Sequence, residues 1–301
     1  MVGRRARRKL DARSTENTPS DTCPPARNRP ETRSPRSSSE GHPVKFHLLG
    51  PFEITTENGR SILPPTPKAS QVLALLLTRP KEIVPVDALI QELWAENPPR
   101  SALTTLQTYV YHLRKILVGE GLAGAGERIL ITRSPGYLID PTGHGLDTRE
   151  FEELVKSGRR AADRGHLELA ARTLGDALDI WTGPALANIS TGRVLNGYTM
   201  YLEELRVRAV ERRIEALKKL GNERDLIPEL CALSQQYPLN EWFHAQLIDA
   251  LNNCGRRAEA LKVYRDLWRS LDDELGIEPS PDVQRLHHEV LNPVARSGRA
   301  A

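Results

Sequence analysis

Leu106-Gln107-Thr108-Tyr109-Val110-Tyr111-His112-Leu113-Arg114-Lys115-Ile116-Leu117 is the stretch whose reading decides the first fold. With Leu103 in front of it, the apolar positions Leu103, Leu106, Val110, Leu113 and Leu117 recur at intervals of three and four. That spacing predicts a helix from 101 to about 117 with one buried stripe. Turning ~100° per residue from Leu106 puts Thr104, Thr108, Tyr111 and Lys115 on the far side. Gln107, His112 and Arg114 flank them. These are hydroxyl, amide, imidazole and cationic groups, and no aspartate or glutamate interrupts them. An ordinary solvated helix face usually mixes in acids. A face without them can donate hydrogen bonds to phosphates and to acceptors on base edges in a major groove.

The flanks build a small module around this helix. Residues 44–55 are rich in Val, Phe, Leu and Ile, and Asn58-Gly59 then leads into Ser61-Ile62-Leu63. Asn-Gly suits a tight hairpin, so an N-terminal antiparallel sheet is expected. A first helix is predicted over 67–78, carrying Val72, Leu73, Leu75, Leu76 and Leu77. A second starts near Val86, with Asp87 as a cap or favourable charge, and ends before Asn97-Pro98-Pro99. Beyond a glycine-rich connector, two short β-runs flank Ser134-Pro135-Gly136 and make a hairpin tipped by Arg133. A sheet, three helices and a hairpin form a winged helix-turn-helix. Its third helix would enter the major groove and its hairpin would lie along the backbone.

From Leu146 onward helical pattern dominates. Gly221 and Gly255 stand 34 residues apart. Leu217 and Leu251 precede them by four, Leu226 and Ala260 follow by five, and Leu230 and Tyr264 by nine. A single glycine would mark only the end of a helix. Matching offsets at a period of 34 predict tetratricopeptide-like helix pairs. Gly165, Ala170, Leu174 and Ala177 repeat the offsets 56 residues before Gly221. An insertion of about 22 residues, spanning Gly183-Pro184 and Gly192 to Gly197, therefore interrupts the array. Stacked pairs expose a groove for protein partners. Trp94, Trp181, Trp242 and Trp268 are expected to be packing anchors.

Two stretches now carry a resemblance. Leu106 to Leu117, followed by Thr132-Arg133-Ser134-Pro135-Gly136-Tyr137, resembles the OmpR-type winged helix. Val44-Lys45-Phe46-His47-Leu48-Leu49-Gly50 and Leu93-Trp94 narrow this to a resemblance to the Streptomyces antibiotic regulatory protein (SARP) family. The helical block, with Asp272 to Ser280, is similar to the bacterial transcriptional activation domain that follows the winged helix in that family. The resemblance covers about 44–291. It implies a transcriptional activator of a secondary-metabolite gene cluster that binds promoter direct repeats as a homodimer and recruits RNA polymerase holoenzyme with its sigma factor. Thr104, Gln107, Tyr111, His112 and the wing residue Arg133 fall where such domains place DNA-contacting side chains. Together with Thr108, Arg114 and Lys115 they form the candidate double-stranded DNA site. Glu96, Asn97 and Arg100, in the loop between helices two and three, are candidates for touching polymerase. The chain departs from common OmpR-type sequences in carrying fewer arginines on the recognition face.

Composition bounds the remaining possibilities. The chain has 301 residues, 39% hydrophobic, 27% charged and 5% aromatic, with a net charge of +3. That length suits about two domains. The charge is uneven: +5 over residues 1–42, +1 over 43–140 and −3 over 141–301. Residues 1–42 hold five prolines and no aromatic residue, which predicts a disordered basic tail over 1–43. That tail is either a solvated appendage, a stretch upstream of the true start, or a non-specific contact to phosphates. Arg4-Arg5-Ala6-Arg7-Arg8-Lys9 is followed by no apolar stretch, so no export signal is expected. No apolar run approaches the ~18 residues of a membrane span. Cys23, Cys231 and Cys254 are too few and too far apart for a disulfide scaffold or a zinc site. A cytoplasmic chain with free thiols is expected.

Enzyme chemistry finds no foothold. Gly119 to Gly124 matches G-x-G-x-x-G but follows a helix and precedes a hairpin, whereas a dinucleotide site needs a strand before it and a helix after it. No Gly-Lys-Ser/Thr phosphate loop, nucleophile elbow or His-Glu-x-x-His occurs. His287-His288 are adjacent on a helix, a poor chelating arrangement, and are expected at the surface. No cofactor and no metal are expected. The expectation is an α+β winged module over 44–140, an all-α repeat domain over 146–291 and a disordered end over 292–301. A protein-binding adaptor and a repressor on the same scaffold remain as alternatives.

Overall fold

The computed structural model describes residues 44–119 and 129–292. The basic tail, the connector that carries most of the G-x-G-x-x-G match, and the last nine residues lie outside the described residues. β1 (Val44–His47), β2 (Glu53–Thr56) and β3 (Ser61–Ile62) form the expected antiparallel sheet, with Phe46 opposite Ile54 and Ile54 opposite Ile62. In the turn after β2 only Gly59 takes a positive φ (73°), while Asn58 does not. A fourth strand, β7 (Gly145–Leu146), pairs parallel with β1 and gives the order β3-β2-β1-β7.

α1 (Pro67–Thr78) starts where Thr66 accepts a hydrogen bond from the Ala69 N–H and Pro67 presets the first helical φ. Ala69 and residues 71–77 are all buried, which places α1 at the centre of the module. β4 (Val84–Pro85) leads into α2 (Val86–Trp94). Asp87 lies in the first turn of α2, but Pro85 occupies the cap and no side chain caps the helix. α3 (Ala102–Gly119) buries Ala102, Leu106, Val110, Leu113 and Leu117. Leu103 departs from the expected seam and is 49% exposed. The reason is angular: Leu103 lies ~60° from Leu106 around the helix, and Ala102 fills the first core position instead. β5 (Leu130–Arg133) and β6 (Gly136–Ile139) form the wing, and the second sheet has the order β4-β6-β5.

Seven helices follow: α4 (Asp147–Asp163), α5 (Leu167–Leu178), α6 (Arg193–Lys219), α7 (Glu223–Gln236), α8 (Glu241–Asn253), α9 (Arg257–Leu275) and α10 (Pro281–Leu291). The glycine repeat becomes one corner built three times. Gly165, Gly221 and Gly255 carry φ of 80°, 84° and 77° just past the ends of α4, α6 and α8. The next residue in each case returns its N–H five positions: His166 to the Ala161 carbonyl, Asn222 to Leu217 and Arg256 to Leu251, at 3.0, 3.1 and 2.8 Å. This is the Schellman arrangement, which satisfies carbonyls a helix end would otherwise leave open.

The insertion between α5 and α6 is a docking strap. Thr182 donates its N–H to the Leu49 carbonyl at 2.9 Å and Leu186 to Leu48 at 3.0 Å. Asn188 brackets Phe52, accepting from its N–H at 2.6 Å and donating to its carbonyl at 3.1 Å. Leu186, Ile189 and Leu195 join the apolar core of the winged module. Gly197, expected in the insertion, lies inside α6. Trp181 is buried and Trp94 and Trp242 half-buried, but Trp268 is 40% exposed and anchors less than expected. His287 is not a free surface residue either. It stacks on Tyr264 with ring centres 3.9 Å apart, and burial, then the neighbouring His288, holds its pKa down.

Candidate nucleic-acid interface

α3 reaches the surface because its other side is fully occupied. Leu106, Val110, Leu113 and Leu117 sit in the same core as α1, Leu89 and Leu93. Thr104, Gln107, Thr108, Tyr111, His112 and Lys115 are therefore all exposed, Tyr111 by 63%. Thr108 hydrogen-bonds back to the Thr104 carbonyl at 2.9 Å. Its hydroxyl oxygen remains an acceptor. The Tyr111 and His112 rings meet edge to face, 5.5 Å apart, and form one aromatic edge on the helix.

Arg114 is placed differently from the rest. It is half-buried, with Nε donating to the Leu130 carbonyl at 3.0 Å and Nη2 to Thr132 Oγ1 at 2.7 Å. It ties the first strand of the wing to α3, one residue before Arg133, which is exposed at the end of β5. The wing is also held from behind. The Pro135 carbonyl accepts from the Val86 N–H at 3.2 Å. A Cβ on Gly136 would lie 1.9 Å from the Val84 carbonyl oxygen, so only glycine lets β6 close on β4. Glu96, Asn97 and Arg100 are exposed in the loop between α2 and α3, apart from this face in sequence but on the same two-helix unit.

Sequence reasoning missed two residues whose contacts join distant parts of the chain beside this surface. The Ser134-Pro135-Gly136 turn is legible, but the need for glycine at its end comes from a backbone approach between strands distant in sequence. Glu92 is 4% exposed and accepts hydrogen bonds from the N–H groups of Gly192, Val194 and Leu195 at the start of α6. Its signal was legible: Glu92 shares the buried face of α2 with Leu89 and Leu93. A carboxylate in such a place demands partners. Among the described residues no helix is long and apolar enough to cross a membrane. Among the same residues no group of three His, Cys, Asp or Glu side chains could hold a metal.

Two family models divide the chain along these lines. "Transcriptional regulatory protein, C terminal" matches residues 59–139, and "Bacterial transcriptional activator domain" matches 146–291. Regulatory protein DnrI of Streptomyces peucetius is 39% identical over 82% of this chain and 92% of its own length. The chain belongs to the Streptomyces antibiotic regulatory protein family. It is a SARP-type transcriptional regulator. Regulatory protein AfsR of Streptomyces griseus is 32% identical over 87% of this chain, which spans only 26% of AfsR. A solved structure of Mycobacterium tuberculosis EmbR, in complex with a low-affinity phosphopeptide, superposes with a TM-score of 0.76 at 34% identity. It covers 84% of this chain, and this chain covers 66% of it.

Proposed function

We propose that this SARP-family chain is a sequence-specific DNA-binding activator acting on promoters of a secondary-metabolite gene cluster. The observation that carries the reading is the acid-free outer face of α3, with Thr104, Gln107, Thr108, Tyr111, His112 and Lys115 exposed while its apolar seam is buried and Arg114 ties the wing alongside. Lys115 and Arg133 supply phosphate contacts that set register. Thr104, Gln107, Thr108, Tyr111 and His112 read base edges. Two copies occupy a direct repeat, and the exposed loop with Glu96, Asn97 and Arg100 faces polymerase and its sigma factor. The names of the relatives support regulation of transcription. The chemistry of the face supports duplex DNA as the ligand.

The test is footprinting and titration of the purified chain on promoter fragments of a neighbouring biosynthetic cluster. Gln107→Ala or Tyr111→Ala is expected to cost ~1–3 kcal/mol at one base-pair position and to relax preference there. Glu96→Ala with Arg100→Ala leaves DNA affinity intact and lowers transcription in a reconstituted reaction. A protein that binds no fragment at low ionic strength refutes the reading. So does one whose binding ignores every substitution on α3.

A further inference from the structure

α6 belongs to both halves of the molecule. It is 27 residues long, about 40 Å at ~1.5 Å per residue. Its beginning is inside the winged core, through Leu195, and its end is inside the repeat cores, through Ile214 and Ala216. The first amides of a helix have no partner within it. Here they are met by one side chain from the other half. Glu92 Oε1 accepts from Gly192 at 2.7 Å and from Leu195 at 3.2 Å, and Oε2 accepts from Val194 at 2.7 Å. The negative carboxylate also suits the positive end of the helix dipole.

The junction is built from both sides. A Cβ at Gly192 would stand 2.4 Å from the Glu92 carbonyl oxygen and 2.7 Å from its carboxyl carbon, so glycine is what permits the approach. Gln71 on α1 donates to the Glu92 carbonyl at 3.0 Å. Lys68, one turn earlier, donates to the Leu93 carbonyl at 2.5 Å while lying over the Trp94 ring. Thus α1, α2 and the start of α6 are pinned at one point, and α2 is the helix that delivers α3 to the surface.

We propose that Glu92 is a positioning residue for the recognition helix. By holding α2 to the head of α6 it fixes the direction in which α3 faces relative to the repeat array. It acts through Gly192, Val194 and Leu195 and touches no DNA. The inference rests on the DNA reading above. If two copies bind a repeat while their helical domains meet, the fixed angle between α3 and α6 becomes a fixed distance between half-sites. Glu92 then governs the tolerance of that distance and leaves the strength of a single contact alone.

The experiment uses the full chain as wild type, Glu92→Gln and Glu92→Ala, with Gly192→Ala forcing the same junction apart from the other side. Hydrogen exchange of the amides at 192–195 is measured first, and it should quicken at least tenfold in Glu92→Ala and Gly192→Ala and at one or more of these amides in Glu92→Gln, which keeps a single acceptor oxygen. Affinity is then measured on a single repeat, on the natural pair, and on the pair with five base pairs inserted, which turns one site by half a helical turn. The expected result is single-repeat affinity within threefold of wild type, while the preference for the natural pair over the inserted one falls at least fivefold. Faster exchange with spacing preference unchanged overturns the proposal. So does a loss on the single repeat as large as that on the pair, which would mark a merely structural group. Should Glu92→Ala fail to fold, Glu92→Gln keeps an acceptor and decides the matter. Wild type that binds no repeat overturns the DNA reading itself, an outcome separate from either of these.

Discussion

Arg114 and Arg133 are both cations at the edge of the proposed recognition face, yet the structure gives them different surroundings, and a double-substitution cycle separates the two. Arg133 is exposed at the end of β5, free to approach a phosphate. Arg114 donates to the Leu130 carbonyl and the Thr132 hydroxyl, both in the wing. Every phosphate that the protein ceases to neutralise lowers the slope of log affinity against log salt by ~0.9. If Arg133 neutralises one, Arg133→Ala lowers the slope by about that amount. Arg114→Ala frees the strand that carries Arg133, so it lowers the slope by at most the same ~0.9. The double variant then also falls by ~0.9, because the tether has nothing left to position. Were Arg114 itself on a phosphate, the double variant would fall by ~1.8. Stability moves the other way. Arg114→Ala removes two charge-assisted hydrogen bonds from a half-buried site and should cost ~1–2 kcal/mol after solvent screening. Arg133→Ala, at an exposed strand end, should cost under ~0.5 kcal/mol. Fluorescence anisotropy on one promoter fragment at four salt concentrations, with urea melts of the same four proteins, supplies every number. A slope change near 1.8 in the double variant refutes the tether.

Gly136→Ala pushes a Cβ into the backbone of β4 at Val84 and Pro85 and should destabilise the chain by ~2–4 kcal/mol, through overpacking and broken ladder bonds. A melting temperature within 1 °C of wild type would show that the strands separate at no cost. Asp147 accepts from the Leu48 and Leu49 N–H groups at 2.7 and 2.9 Å, but burial pushes its carboxyl pKa above the ordinary value, against the weaker pull of those amides and of His47. A carboxyl with a raised folded pKa contributes stability below its unfolded value of 3.8 that is lost as pH rises through the folded one. Asp147→Asn, which imitates the protonated form, should therefore rise in stability relative to wild type between pH 4 and pH 7 in urea melts, and a relative stability that falls over that range contradicts this. Gly255→Ala meets no atom within 4 Å yet must hold a φ of 77°, so it should cost ~1–2 kcal/mol by conformation alone. Gly255→Asn should cost visibly less by the same melts, and equal losses would point to a contact instead of a backbone preference.

What was readable from the chain, and what was not, divides by the range of the interaction. α1 matches its expected bounds, and α3 nearly so, because the periodicity that marks each helix is contained within it. The corners at Gly165, Gly221 and Gly255 were readable for the same reason: a Schellman turn is written in six consecutive residues, and three copies at fixed offsets reinforce one another. The exposed polar face of α3 was equally local, since one buried seam determines which residues look outward. Leu103 shows the limit, because apolar character does not tell which of two neighbouring positions, Ala102 or Leu103, fills a core that other elements shape.

The interval from 179 to 192 looked like a gap in the repeat because it obeys no internal period. Its order comes from backbone groups of residues 48–52, more than 130 positions away, and from Glu92. Such pairings leave two traces in a sequence: a charged residue on an apolar face, as Glu92 between Leu89 and Leu93, and a glycine needed for a close approach, as Gly192 against Glu92. Each trace is ambiguous alone. A buried carboxylate still requires donors, and a helix starting within reach has unpaired amides to offer. The two needs are complementary, which is why the most buried acid of the winged module is found at the head of the longest helix among the described residues.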